Sequence, residues 1–484
     1  MRILKLLVLL TLMSSAVYSQ TIDSESARKI REIRKAIAVA TDDCDKASRH
    51  WTIAQFYRQN QMFKEAIDDY LSTIKYATGK TCVDADEEEF EEEDEVEGFP
   101  FVRMAQDHIA ESYVALKDWP RAITWFGKVI ALNPHSDYYH QRGHAYLSND
   151  NLPLAIQDFT TAIEKRSASH LYTDRGYVYW KQKEYDLSIA DNTKAIELDP
   201  KSARGYYMRA VNRYQHDKKP DLALAIADLS KAIEINPKHA DALADRGWLY
   251  MRQGRNDLAL PDLNASIVLA PAGINSLYNR GVVYFNTSDW ERALADFTKT
   301  IELNHSHADA LRGRGEVYLK LNKPEAALAD LNKSLEINPA GFNLRNASHF
   351  RGVALSMLGR YPEAEIDLSK AIRLGYEFPN GYYSRGVVYF RMSKFDLAIA
   401  DFEKAVALGA KPETVATYKA RIFFVQDKFV QALAEVNSAL KTESSTENFE
   451  LRASIYCSTG KKLLAKADER KVAALGGTVS QPCQ

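Results

Sequence analysis

After residue 20 the chain has no run approaching the eighteen or so consecutive apolar residues of a membrane-spanning helix. It also has no excess of one charge. Lys and Arg total 63 against 65 Asp and Glu, a formal net charge of −2, which argues against a nucleic-acid binder relying on phosphate neutralisation. The motifs of catalysis are missing too. There is no Walker loop and no Ser elbow, and Gly313-x-Gly315 is half a nucleotide motif without a third glycine or a preceding strand. No enzyme and no cofactor are expected. Cysteine is scarce, at four residues.

With 46% hydrophobic and 26% charged residues, the rest reads as a folded soluble protein. Residues 1–19 stand apart. Arg2 and Lys5 precede an apolar stretch from Leu6 to Met13, and Val17-Tyr18-Ser19 suits cleavage after Ser19. This predicts a signal peptide and a secreted or periplasmic mature chain without a membrane span, or an ER-lumenal one if the source is eukaryotic. An uncleaved anchor is the competing reading. The cysteines suit an oxidising compartment. Of the three connectivities, Cys44–Cys82 with Cys457–Cys483 closes the smaller loops, and four unpaired thiols are the alternative. Five Asn-x-Ser/Thr sequons, at Asn264, Asn286, Asn304, Asn332 and Asn346, are glycan acceptors only in a eukaryotic host.

One pattern recurs: Arg-Gly-x-x-Tyr, then Ala-x-x-Asp-(Phe/Leu). Its small anchor residue falls at Ala54, Ala110, Gly143, Gly176, Ala210, Gly247, Gly281, Gly315, Gly352, Gly386, Ala420 and Ala453. After Ala110 the period is 33–34 residues, with two three-residue insertions. A small residue, Ala in all but Ser188 of unit 4, follows twelve after the anchor; in unit 5 the equivalent Ala225 comes three later. Each unit therefore predicts two amphipathic helices that approach closely at the anchor. Pro134, Pro200, Pro237, Pro271 and Pro339 end five of them. The residue before the anchor is basic and an acid stands at a fixed place in the next helix. The pairs run from Arg142/Asp158 to Arg452/Asp468, with Lys419/Glu435 in unit 11. An antiparallel hairpin sets these opposite each other, predicting ion pairs inside each hairpin. Unit 1 has Ile53 with Asp69, and unit 2 has Ile109 with Trp125.

This pattern resembles the tetratricopeptide repeat family over about residues 47–475. The resemblance implies an all-α solenoid, a right-handed superhelix of about twelve helical hairpins that binds proteins or peptides. The expected organisation is a capping helix over 24–43, repeat 1 over 47–78, a solvated insert over 79–101, repeats 2–12 over 103–475 and a tail over 476–484. The insert carries 11 acids within residues 84–97; a calcium loop or an acidic lid are the alternatives. The His-Pro-Asp tripeptide of J domains is absent, so the chain resembles only the repeat portion of secretory co-chaperones. A structural part of an envelope or lumenal assembly is the alternative function.

In related solenoids the first helix of each unit lines a concave groove through residues three before and one, four and five after the anchor. Carried onto this chain, the aromatic groove candidates are Tyr177, Trp180, Tyr207, Trp248, Tyr278, Phe285, Tyr383 and Phe390. Arg204, Arg252, Arg312 and Arg391 are interleaved with them, a mix suited to an extended peptide with apolar anchors and acidic flanks. Trp248 and Tyr278 are expected to contribute to binding and little to stability. His140 and His144 stand four apart, with His170 opening the next unit. They are read as surface histidines, with a zinc site as the sharper alternative.

Overall fold

The computed structural model describes residues 24–78, 100–376, 378–442, 444–479 and 483. The proposed signal peptide, Cys82 and the acidic segment 84–97 lie outside them. Among the described residues there are twenty-five helices and no strand. One helix, Ser24–Val39, precedes twelve antiparallel hairpins, from Asp43–Gln59 with Phe63–Ala77 to Thr446–Ser458 with Lys462–Ala474. The fold is an all-α solenoid of helical hairpins.

Three boundaries differ from expectation. The leading helix stops at Val39 instead of residue 43, and repeat 1 begins at Asp43 because the Asp42 side chain caps it, accepting from the Asp45 amide at 2.9 Å. Repeat 2 begins at Pro100, inside the expected insert, since proline is favoured in the first helical turn.

The chain divides into two compact units, Met1–Ala242 and Leu243–Gln484. Within each, the hairpins follow one recipe. A Cβ on Gly143 would stand 2.8 Å from the Phe159 ring, and one on Gly352 would stand 2.7 Å from Leu368. The anchor is small because the Phe or Leu sixteen residues later rests on it. The turn between the two helices has its own rule, which the sequence pattern did not reveal. Seven residues after the anchor the backbone is left-handed in eleven repeats, at Gly254, Gly359 and Gly460 but also at residues such as Lys183 and Asn322.

All ten expected ion pairs form. Arg142 Nε and Nη2 donate to both oxygens of Asp158 at 2.7 and 2.8 Å, and the same side-on geometry recurs to Arg452–Asp468. Lys419 reaches Glu435 at 2.5 Å. The nine aspartates are buried and their guanidinium partners largely so, and in seven pairs the remaining Nη1 donates to the preceding repeat. Arg175 reaches Thr160, Arg209 Thr193, Arg280 Asn264, Arg314 Thr298, Arg351 Asn332, Arg385 Ser369 and Arg452 Asn437. Each acceptor stands two residues after the acid of the previous repeat, so one side chain closes its own hairpin and ties it to its neighbour. Repeat 1 solves the problem differently: Asp69 meets His50 at 2.7 Å and Arg34 of the leading helix at 3.3 Å. In repeat 5, Arg213 stands where most repeats have Tyr, and shares Asp228 with Arg209.

A disulfide joins Cys457 and Cys483, whose Cα atoms are 5.6 Å apart, and fastens the tail to the last hairpin. Cys44 is disulfide-bonded as well. The sequon residue Asn346 is buried and donates its amide to the Phe342 carbonyl.

Candidate interaction face

The groove positions face two environments, taken unit by unit. In the first unit a cleft of about 450 Å³ opens over repeats 1–3. Phe63, Val114, Trp119 and Phe126 give it an apolar floor, with Arg58, Glu111, Gln141 and His144 around it. Arg58 Nη2 donates to Glu111 at 2.5 Å, and His108 lies 3.2 Å from the same carboxylate. These contacts hold Glu111 below the usual range, hydrogen bonding to His108 first and against the pull of burial. Asp107, three before the anchor of repeat 2, is pushed up to about 6, by burial first and then by Glu111. Its Oδ1 is buried without a hydrogen-bond partner among the described residues.

Further along the same unit, Tyr177 and Trp180 pair at 5.3 Å, and the Trp180 indole donates to Gln215 in the next repeat. Tyr207 packs on His239, 4.7 Å between ring centroids. Arg204 donates to Asp174 at 2.6 Å, and that carboxylate also meets His140 and His144. The two histidines are thus a joint between repeats 3 and 4, where a lone surface role was the plainer reading. Asp174 escaped notice in the sequence because it lies in the next repeat, 34 residues after His140. Corresponding faces of adjacent repeats adjoin, and that rule would have found it.

In the second unit several groove candidates prove to be half core. Tyr278 lies 5.8 Å from the Phe297 ring and 5.0 Å from His307, and burial raises its hydroxyl pKa. Phe285 packs edge-on against Trp290, while Tyr383 and Phe390 surround Tyr418. The expectation that Tyr278 contributes little to stability is therefore corrected: a ring against Phe297 is packing. Arg312 is corrected in the same way. It is largely buried, bridges Glu316 and lies 3.3 Å from Asp309, so its charge is already matched within repeat 8. Arg252 and Arg391 remain exposed, 5.1 Å from the Trp248 ring and 6.0 Å from the Phe390 ring. Phe390 also lines a cleft of about 320 Å³ with Arg421, Phe424, Glu447 and Leu451.

Sequence models described as tetratricopeptide repeat match residues 140–203 and 278–342, 229–260, and 379–409. The chain is a tetratricopeptide-repeat protein. Solved structures similar to it include YrrB, a tetratricopeptide-repeat protein with an unusual peptide-binding site. That protein is 25% identical, and the match covers 38% of this chain and 94% of YrrB with a TM-score of 0.34. A tetratricopeptide repeat protein of Parabacteroides merdae is 18% identical over 55% of this chain and 98% of its own, with a TM-score of 0.38. The APC/C hetero-tetramer Cut9–Hcn1 is 14% identical over 92% of this chain and 95% of its own, with a TM-score of 0.45. No curated protein matches the sequence.

Proposed function

We propose that this tetratricopeptide-repeat chain is a non-catalytic scaffold, exported from the cytosol, that holds a peptide or protein partner on the first-helix faces of its repeats. The observation that carries the reading is the cleft over repeats 1–3. An apolar floor of Val114, Trp119 and Phe126 borders Arg58, Glu111 and His144, so buried apolar area and fixed polar groups stand within one recess. Packing rules dictate Phe126, at the Phe/Leu position sixteen residues after Ala110, but not Arg58, Glu111, Val114, Trp119 or His144. The exposed Arg252 and Arg391 beside aromatic rings suit acidic flanks on a partner. Export is supported by the charged and apolar segments before Ser19 and by the Cys457–Cys483 bond.

Site-directed photo-crosslinking tests the scaffold reading in the native fraction. A crosslinker at Val114 or Arg391 should capture one defined polypeptide, whereas one at Leu463, exposed on a second helix, should not. Equal capture at all three sites would move the interface off the proposed faces. Amino-terminal sequencing of the mature chain should begin at Gln20; a start at Met1 would withdraw the export reading.

A further inference from the structure

We propose that His140, His144 and Asp174 form a binding site for a divalent first-row transition metal ion, pinning repeat 3 to repeat 4. The first helix of repeat 3, Ser136–Ser148, presents both imidazoles four residues apart on one face. Asp174 comes from the first helix of repeat 4, Ser169–Lys181. The three donor atoms converge: His140 Nε2 lies 2.8 Å from Asp174 Oδ2, His144 Nε2 3.2 Å from the same oxygen, and the two Nε2 atoms 3.0 Å apart.

Protons alone serve this triangle poorly. With a proton on each Nε2, two donors face each other at 3.0 Å. With one proton only, on His144, the His140 lone pair faces the carboxylate at 2.8 Å; on His140 instead, the His144 lone pair faces it at 3.2 Å. A cation accepts all three lone pairs at once. A point about 2 Å from each atom, the length of zinc–imidazole and zinc–carboxylate bonds, exists about 1 Å off their plane. Donor separations near 3 Å also match one face of an octahedron, as two imidazoles and one carboxylate provide in facial sites with open positions.

The surroundings fix the ligands. Asp174 is 4% exposed, and Arg204 donates to its other oxygen at 2.6 Å, leaving Oδ2 turned to the histidines. Both imidazoles lie against the Phe159 ring, and His170 stands 5.1 Å from His140. The Arg204 cation lowers the affinity for a second positive charge, an effect weakened because its side chain is half exposed. His144 also lines the cleft over repeats 1–3, so the ion would stand at the edge of that recess.

The full mature chain, stripped with chelator and dialysed against micromolar zinc, should retain one equivalent by elemental analysis. Retention should fall at least tenfold in His140→Gln/His144→Gln, and zinc should raise the melting temperature of the wild type only. Cobalt should give visible d–d bands that the double variant loses. Should the double variant fail the far-UV dichroism check for folding, His144→Gln alone serves, its side chain being nearly half exposed. No retained metal in the wild type, or equal retention in wild type and variant, would overturn the site.

Discussion

Repeat 3 meets repeat 4 through Ala155, Phe159 and Val178, whereas the equivalent three positions between repeats 4 and 5 hold Ser188, Asn192 and Asn212. All six residues are fully buried. At the first joint they make an ordinary apolar cluster. At the second, Asn192 donates to the Ser188 carbonyl and Asn212 to that of Met208, each within its own helix. Both amide oxygens are left without a partner among the described residues. A buried acceptor without a donor costs about 1–3 kcal/mol. The array carries such a joint because its stability is roughly a sum of repeat terms and nearest-neighbour terms, so a weak interface is held between strong ones.

The sharpest break of the comparison is Phe159→Ala, which should cost about 3–5 kcal/mol because a large side chain at full burial leaves a cavity. Asn192→Ala, at the equivalent place, should cost under about 1 kcal/mol, since it also removes an unsatisfied acceptor. Urea unfolding with peptide-resolved hydrogen exchange measures both. Similar losses at the two sites would mean that the polar joint holds as firmly as the apolar one.

Protonation probes a buried polar group at a third place, in the second unit. His349 is 3% exposed, stacks on Tyr376 at 4.2 Å, and has no partner at Nδ1 among the described residues. Burial depresses it to about 4. The neutral form is the one folded, so its contribution is complete above the unfolded value near 6.5 and is lost as pH falls from there through about 4. The loss should approach about 3 kcal/mol across that window, and His349→Phe should flatten it. An unchanged acid limb in the variant would assign the titration elsewhere.

The hairpins, their period and the ten ion pairs were legible because they depend on spacing alone. Ser188 stood out as a departure for the same reason, and Asn192 occupies a position the pattern names as Phe or Leu. What spacing could not supply was the neighbour across a joint. Asp174 beside His140, Thr160 beside Arg175 and Phe297 beside Tyr278 each come from another helix or another repeat. The groove candidates were therefore legible as positions and not as environments. Arg312 has the right place on its helix and the wrong freedom, because Glu316 and Asp309 already hold it.

Converting the polar joint tests whether its two orphan acceptors are the cause of its weakness. Asn192→Leu with Asn212→Val reproduces the pairing of Leu263 with Val283 in the second unit, where Leu also rests on an anchor glycine. The double variant should gain about 2 kcal/mol, with slower exchange confined to repeats 4 and 5. A loss would show that the Asn pair is better packed than its unpaired oxygens suggest.

The smallest effect belongs to Ser188→Ala, which restores the residue most repeats use there. Ser188 Oγ donates to the Gly176 carbonyl at 2.6 Å and accepts from Asn192 Nδ2 at 3.3 Å, so its loss removes both bonds. The Asn192 amide keeps the Ser188 carbonyl at 2.8 Å, and no group is left newly unpaired at the main chain. In the wild-type background the change should therefore cost under about 1 kcal/mol. In the Asn192→Leu/Asn212→Val background Asn192 is gone, and alanine beside leucine is the arrangement of Ala259 and Leu263. There the same substitution should be neutral or stabilising. This change of sign is the measurable coupling between contacting residues. An identical cost in both backgrounds would mean that Ser188 answers only to Gly176, and that the polar joint is three separate departures instead of one.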